Sequence, residues 1–169
     1  MSVRLEPWNE HDFPLLERLL GDPRMTEHLG GPESHEKLLE RQGRYERLAS
    51  SGKGRMLKIV DEDSGEPAGS VGYWERPWAG MDVYETGWSV LPEFQGRGIA
   101  GAGTALAIEL ARADRKHRFL HAFPSVENLP SNAICRKLGF TLVEEVDFEY
   151  PKGNPIRCND WRLELFAGE

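Results

Sequence analysis

The stretch VLPEFQGRGIAGAGTALAIELAR, residues 90–112, constrains the chain more than any other. It carries a strand pattern, VYETGWSV at 83–90, through a short turn into a helix pattern that opens on Gly96, Gly98, Gly101 and Gly103. A glycine inside a helix costs about 1 kcal/mol relative to alanine. Four close together therefore call for a compensating role. Without side chains, the N–H groups of the first turn lie open to a ligand, and the helix dipole favours an anion there. A pyrophosphate meets both conditions. The competing explanation is close packing of helix on sheet, for which Gly101 and Gly103 are the candidates. Gly96 and Gly98 are the anion-binding candidates, and Gly101 belongs to both sets.

Gly96-Arg97-Gly98-Ile99-Ala100-Gly101 also matches the G-x-G-x-x-G dinucleotide fingerprint. The context of that fingerprint is missing. Leu91 to Gln95 separate it from its strand, the following strand pattern FLHAFP ends without an acidic residue, and an antiparallel hairpin precedes it. A nicotinamide-dependent oxidoreductase is thereby disfavoured.

The remaining elements follow closely, with no repeat and no low-complexity linker. VRL at 3–5 reads as a strand. Asp12 reads as the cap of a helix with Leu15, Leu16, Leu19 and Leu20 on its apolar face and Gly21 and Pro23 at its stop. A polar helix spans about Ser34 to Ala49, with Leu38, Tyr45 and Leu48 on one side. RMLKIV at 55–60 is a strand, and 68–75 and 83–90 form a hairpin around PWAGMD. In the long helix after Gly98, the spacing predicts a buried stripe of Ile99, Ala102, Leu106, Leu110 and Ala113. FLHAF at 119–123 is a strand. Asn128 caps a helix to Leu138, and Gly139 ends it. Strands at 141–150 and 156–166 close the chain as a hairpin. The order of elements is α+β, and the whole of 1–169 reads as one domain.

Composition narrows the function. Acidic residues exceed basic ones by 28 to 21, a net charge of −7, which argues against nucleic acid as the main partner. The basic group Arg112, Arg115, Lys116, His117 and Arg118 reads as a solvated helix end or as an anion contact. The mean hydropathy of −0.54 leaves no membrane-spanning run, and the first residues do not read as a signal peptide. Cys135 and Cys158 are the only cysteines and form no CxxC. This favours a reducing, cytoplasmic setting without a disulfide framework or a zinc site. His117 and His121 lie four apart on a strand end and do not read as a metal pair.

Gln95-Gly96-Arg97-Gly98-Ile99-Ala100 fits a second pattern, Q/R-x-x-G-x-G/A. With the E-x-G-x-x-V strand at 85–90 and the stretch from Asn128 through Ser131 and Cys135 to Gly139-Phe140, it resembles the GCN5-related N-acetyltransferase (GNAT) family over nearly the whole chain. RMTEHLGGPES at 24–34 resembles the branch that modifies ribosomal-protein N-termini, a branch that also holds small-amine enzymes. The resemblance implies a mostly antiparallel, twisted sheet of six to seven strands with about four helices. It implies an acyl-CoA cleft between splayed parallel strands, here 83–90 and 119–123. It also implies an acetyl-CoA-dependent N-acetyltransferase in which a primary amine, of a peptide N-terminus or a small molecule, attacks the thioester directly.

By the same resemblance, the backbone at Ser89 and Val90 pairs with pantetheine. Gln95, Gly96, Arg97, Gly98, Ile99, Ala100 and Gly101 form the pyrophosphate turn. Asn128 contacts the cofactor, acts as a plain helix cap, or does both. Glu85 is the candidate general base, the competing reading being a surface-strand or orienting glutamate. His121 is the lesser base candidate. The family often places a tyrosine where Cys135 stands, so the proton donor to the leaving sulfur passes to Ser131, with Cys135 second. Trp78 reads as turn packing or as part of the acceptor side. A sensor that binds acyl-CoA without turnover is the alternative function, and the final hairpin is a candidate for pairing with a second copy.

Overall fold

The computed structural model describes residues 2–150 and 152–168. Its strands are β1 (Val3–Pro7), β2 (Gly54–Asp61), β3 (Pro67–Trp78), β4 (Met81–Val90), β5 (Phe119–Ala122), β6 (Thr141–Glu149) and β7 (Pro155–Glu164). Its α-helices are α1 (Phe13–Leu20), α2 (His35–Ser51), α3 (Ile99–Asp114) and α4 (Leu129–Lys137). The strands make one sheet in the order β1-β2-β3-β4-β5-β7-β6. Every neighbouring pair is antiparallel except β4 and β5. This is the expected α+β GNAT architecture. No helix among the described residues is long and apolar enough to cross a membrane.

Two apolar clusters hold the helices to the sheet. One joins Leu15, Leu16, Leu19 and Leu38 from α1 and α2 to Met56, Leu57, Ile59, Val71 and Ile99. The other joins Ile108 and Ala111 of α3, Cys135 of α4 and Phe140 to Tyr73, Tyr84, Leu120 and Trp161 of the sheet. At the far edge of the sheet, β6 leaves Leu142 and Val143 exposed.

Three expectations are corrected. The buried face of α3 is Ile99, Gly103, Thr104, Ala107, Ile108 and Ala111, while Leu106 is 40% exposed. The helix approaches the sheet so closely that small residues turn inward, and spacing of large apolar residues misjudges the face. Asp12 precedes α1 but makes no side-chain cap bond to it. Its carboxylate accepts from the Asn9 N–H at 2.7 Å and pairs with Lys58 at 3.0 Å, tying the chain entry to β2. Finally, PWAGMD is no loop. Its outer residues belong to the strands, and only Ala79 and Gly80, at φ 52° and 83°, make the turn. Two positive φ values match the mirror-image turns that suit the strand twist.

The basic group after α3 is taken up by local partners. Lys116 pairs with Glu75 at 2.5 Å, Arg118 with Glu164 at 2.9 Å, and Arg115 lies over Phe166. Both cysteines are buried and unpaired.

Candidate functional site

The parallel pair β4–β5 is short. It holds only Tyr84 to Leu120, Glu85 to His121 and Thr86 to Ala122. β4 continues to Val90 along β3, whereas the chain leaving β5 follows β7 instead. There the Val126 N–H donates to Arg157 O at 3.0 Å and the Asn159 N–H to Pro124 O at 2.9 Å. The two strands thus separate beyond Thr86 and Ala122. The edge of β4 from Gly87 to Val90, with Ser89 and Val90 on it, faces that wedge without a strand partner. Such an edge can take an extended ligand as an added strand.

The glycine turn lies at the end of this edge. Gln95 donates through Nε2 to Val90 O at 2.9 Å, so its side chain locks the turn to the strand. Gly96 and Gly98 have φ of +75° and +78°, and a Cβ on either, or on Gly101, would meet nothing within 4 Å. The Gln95 N–H bonds Pro92 O and the Ala102 N–H bonds Gly98 O, but no N–H from Gly96 to Gly101 has an acceptor among the described residues. Six consecutive unpaired donors at a helix N-terminus form a cradle for an anion. Arg97 turns its side chain to Asp61, at 3.7 Å, and to the Phe94 ring, while Ile99 is buried in the core. Both therefore face the cradle through their backbone. Gly103 differs from the other three, since its Cβ position is filled by Ile59.

On the far side of the wedge, Asn128 accepts the Ser131 N–H through Oδ1 at 3.2 Å, so it caps α4. Ser131 is half-buried in the first turn. Cys135 is wholly buried in the apolar cluster, and burial pushes its thiol up to about 12. Asn132, one residue after Ser131, was not legible as important. Its Nδ2 donates to Ser125 O and Asn128 O, and its Oδ1 accepts from Asn159 and Trp161. It thereby fixes the start of α4 to β7.

Glu85 and His121 stand side by side in the last registers before the strands part. Glu85 Oε1 accepts from Arg76 at 2.6 Å. The Arg76 guanidinium lies 5.1, 5.0 and 4.9 Å from the rings of Trp78, Phe123 and Phe148. Oε2 has no protein partner, and no fully buried polar side-chain atom is left unpaired among the described residues, so Oε2 reaches solvent. His121 Nδ1 lies 2.6 Å from Asp160 Oδ1, and Asp160 Oδ2 accepts Trp78 Nε1 at 3.1 Å. Trp78 thus joins the site wall by a polar contact as well as by packing. His117 is elsewhere, bonded to Glu75 at 3.0 Å. Neither Arg76 nor Asp160 was found from sequence. Arg76 meets Glu85 only once the hairpin register is known, and Asp160 carries no motif.

The β6–β7 tip is tied to α2 and the segment before it. Tyr150 donates to Glu33 at 3.0 Å and accepts from Arg41 at 2.6 Å, strapping the tip to α2. Below it a cleft runs past Glu27, Gly30, Ser125, Glu127 and Arg157.

The acetyltransferase (GNAT) domain family matches residues 2–141. No curated protein matches the chain. Among solved structures, a ribosomal-protein-alanine N-acetyltransferase from Brucella melitensis is 24% identical, with a TM-score of 0.78 and coverage of 95% of this chain and 99% of that one. A spermidine N-acetyltransferase from Vibrio cholerae, solved with CoA and spermine, is 16% identical, with a TM-score of 0.79 and coverage of 96% and 95%. A GNAT-family acetyltransferase from Bacillus anthracis is 14% identical, with a TM-score of 0.78 and coverage of 98% and 96%. At these identities the likeness establishes the fold.

Proposed function

Since this chain belongs to the GNAT acetyltransferase family, we propose that it moves the acetyl group of acetyl-CoA onto a primary amine by direct attack in a ternary complex. The observation that carries the cofactor assignment is the run of unpaired N–H groups from Gly96 to Gly101. It suits a pyrophosphate in charge, in size and in the open space above the glycines. The edge at Ser89 and Val90 would take the pantetheine arm, and Asn128 would meet the cofactor from α4. Bound there, acetyl-CoA would supply the acetyl thioester.

The chain's own groups then serve the amine. Glu85 keeps Oε2 open and its charge in place through Arg76, and so draws an ammonium toward the wedge. Ser131 offers a hydroxyl to the leaving sulfur from the first turn of α4. The net charge of −7 favours a cationic acceptor. Both a peptide N-terminus and a small amine fit, and the solved structures of like fold include a ribosomal-protein-alanine N-acetyltransferase and a spermidine N-acetyltransferase. The two buried, unpaired cysteines support a reducing, cytoplasmic setting.

The test is a thermal-shift titration with CoA and NAD, followed by thiol release against a panel of peptide and small amines. A shift with CoA together with turnover supports the reading. A CoA shift without turnover on any amine would leave the acyl-CoA sensor, and a shift with NAD alone would overturn both.

A further inference from the structure

We propose that His121, oriented by Asp160, is the base that takes the proton from the acceptor ammonium. The proposal rests on the acetyl-transfer reading and assigns it a group. The first observation is that Glu85, the carboxylate best placed by sequence, has Oε1 engaged by Arg76 at 2.6 Å. The second is the His121 pair itself. The imidazole and the Asp160 carboxylate are only 6% and 2% exposed, and Nδ1 meets Oδ1 at 2.6 Å. The other carboxylate oxygen is occupied by Trp78 Nε1, which fixes the plane of the group.

A carboxylate oxygen accepts, so the imidazole proton resides on Nδ1 and the lone pair on Nε2. Nε2 has no protein partner, and no fully buried polar side-chain atom is left without one among the described residues. Nε2 therefore reaches solvent from an otherwise buried ring. Its strand register places it one residue before β4 and β5 part, beside Glu85. Phe123 stacks beside the imidazole with an interplanar angle of 12° and also lies 5.0 Å from the Arg76 guanidinium. The charged or titratable groups that face this part of the wall are Asp160 and the register partner Arg162 on β7, Glu85 on β4, Arg76 on β3 against Phe123, and the Cys158 thiol, which feels the Glu85 charge.

The step balances as follows. The ammonium, held at Glu85 Oε2, gives one proton to Nε2 and becomes a neutral amine. Its nitrogen forms the C–N bond to the acetyl carbon of the thioester as the C–S bond breaks. Ser131 gives its hydroxyl proton to the departing sulfur and is restored by the second amine proton, and the imidazolium returns its proton to water. The products are an amide, a neutral thiol and one proton.

Two measurements test this. Imidazole nitrogen NMR of the ligand-free protein reads the tautomer, and the pH dependence of kcat/KM reads the base. Wild type should carry the proton on Nδ1. Asp160→Asn keeps the shape but can donate to Nδ1, which moves the ring proton to Nε2. His121→Gln should lower kcat/KM near neutral pH by about 10²-fold or more, the scale of a lost general base, and should remove the acid limb of the profile. Asp160→Asn should approach that loss. Glu85→Gln should keep the acid limb while raising the acceptor KM. The CoA thermal shift should survive in all three. A wild-type pH profile in His121→Gln, or an Nε2-protonated ring in wild type, overturns the assignment of the base. Failure of wild type to turn over any amine overturns instead the acetyl-transfer reading beneath it.

Discussion

Gly103 lies against Ile59 with no room for a methyl group: a Cβ there would stand 2.6 Å from Ile59 Cδ1 and 2.9 Å from Cγ1. Gly103→Ala therefore sets a small gain in helix propensity against overpacking, which typically costs ~1–3 kcal/mol. At roughly 2–4 °C of Tm per kcal/mol for a domain of this size, a fall of a few degrees is expected. The rise in Tm on adding CoA should be unchanged, because this glycine faces the sheet. Adding Ile59→Val should recover part of the loss. A Gly103→Ala protein as stable as wild type would mean that the helix shifts freely.

Gly101 sits two residues nearer the helix start, in open space and with ordinary helical φ. Gly101→Ala should raise the Tm of the ligand-free protein by a few degrees, since alanine gains about 1 kcal/mol over glycine in a helix. Gly101→Glu should fold equally well and lose the CoA shift, because its carboxylate competes for the N–H cradle. In wild type that shift should be about 5–10 °C at a hundredfold excess over Kd. An undiminished shift in Gly101→Glu would move the pyrophosphate elsewhere. Gly98→Val is a less clean probe, since its φ of +78° strains any branched residue.

Ser131 and Cys135 share α4 but face different surroundings. Ser131→Ala should slow acetyl transfer about tenfold, the scale of one charge-assisted hydrogen bond of roughly 1.5 kcal/mol. Cys135→Ala should stay within about threefold in rate, because the thiol is packed in the core. Burial raises both cysteine thiols. Neither should therefore react with a disulfide reagent at pH 7 until the protein unfolds. Rate constants and thiol titration check the pair, and the reverse ranking would assign the proton donor to Cys135.

The strap between Glu33, Arg41 and Tyr150 should weaken in acid. Burial raises the Glu33 carboxyl, but the Arg41 guanidinium and then the Tyr150 hydroxyl outweigh it, and the carboxyl ends below its ordinary value. A folded value below the unfolded one gives stability that is complete above the unfolded value. It is lost as pH falls through the folded one. Hydrogen-exchange protection of the Tyr150 N–H, which donates to Asn154 O at 2.8 Å, should therefore drop below about pH 4.5 in wild type, after correction for intrinsic rates. In Glu33→Gln it should be low already at neutral pH. Equal protection in the two proteins at pH 7 would show that packing alone holds the tip.

The sequence by itself determined the features that depend on neighbours within a few residues. The Asn128 cap and the stop at Gly139 are local, and a residue type at a given spacing implies each of them. The strand and helix periodicities are equally local, so the α+β order was legible from end to end. Tertiary structure decided whatever depends on how closely or in what order the elements pack. The inward face of α3 follows small residues because the helix nearly touches Ile59, and spacing of leucines could not reveal that distance. The same holds for the division among the glycines, with Gly101 in the open and Gly103 against the sheet. The wall of the wedge is the clearest case. His121 and Asp160 are 39 residues apart and meet only because β7 inserts beside β5, ahead of β6. Arg76 reaches Glu85 only because a two-residue turn at Ala79 and Gly80 sets the hairpin register. Strand order and register are collective outcomes of packing the whole sheet, and no short stretch of the chain encodes them.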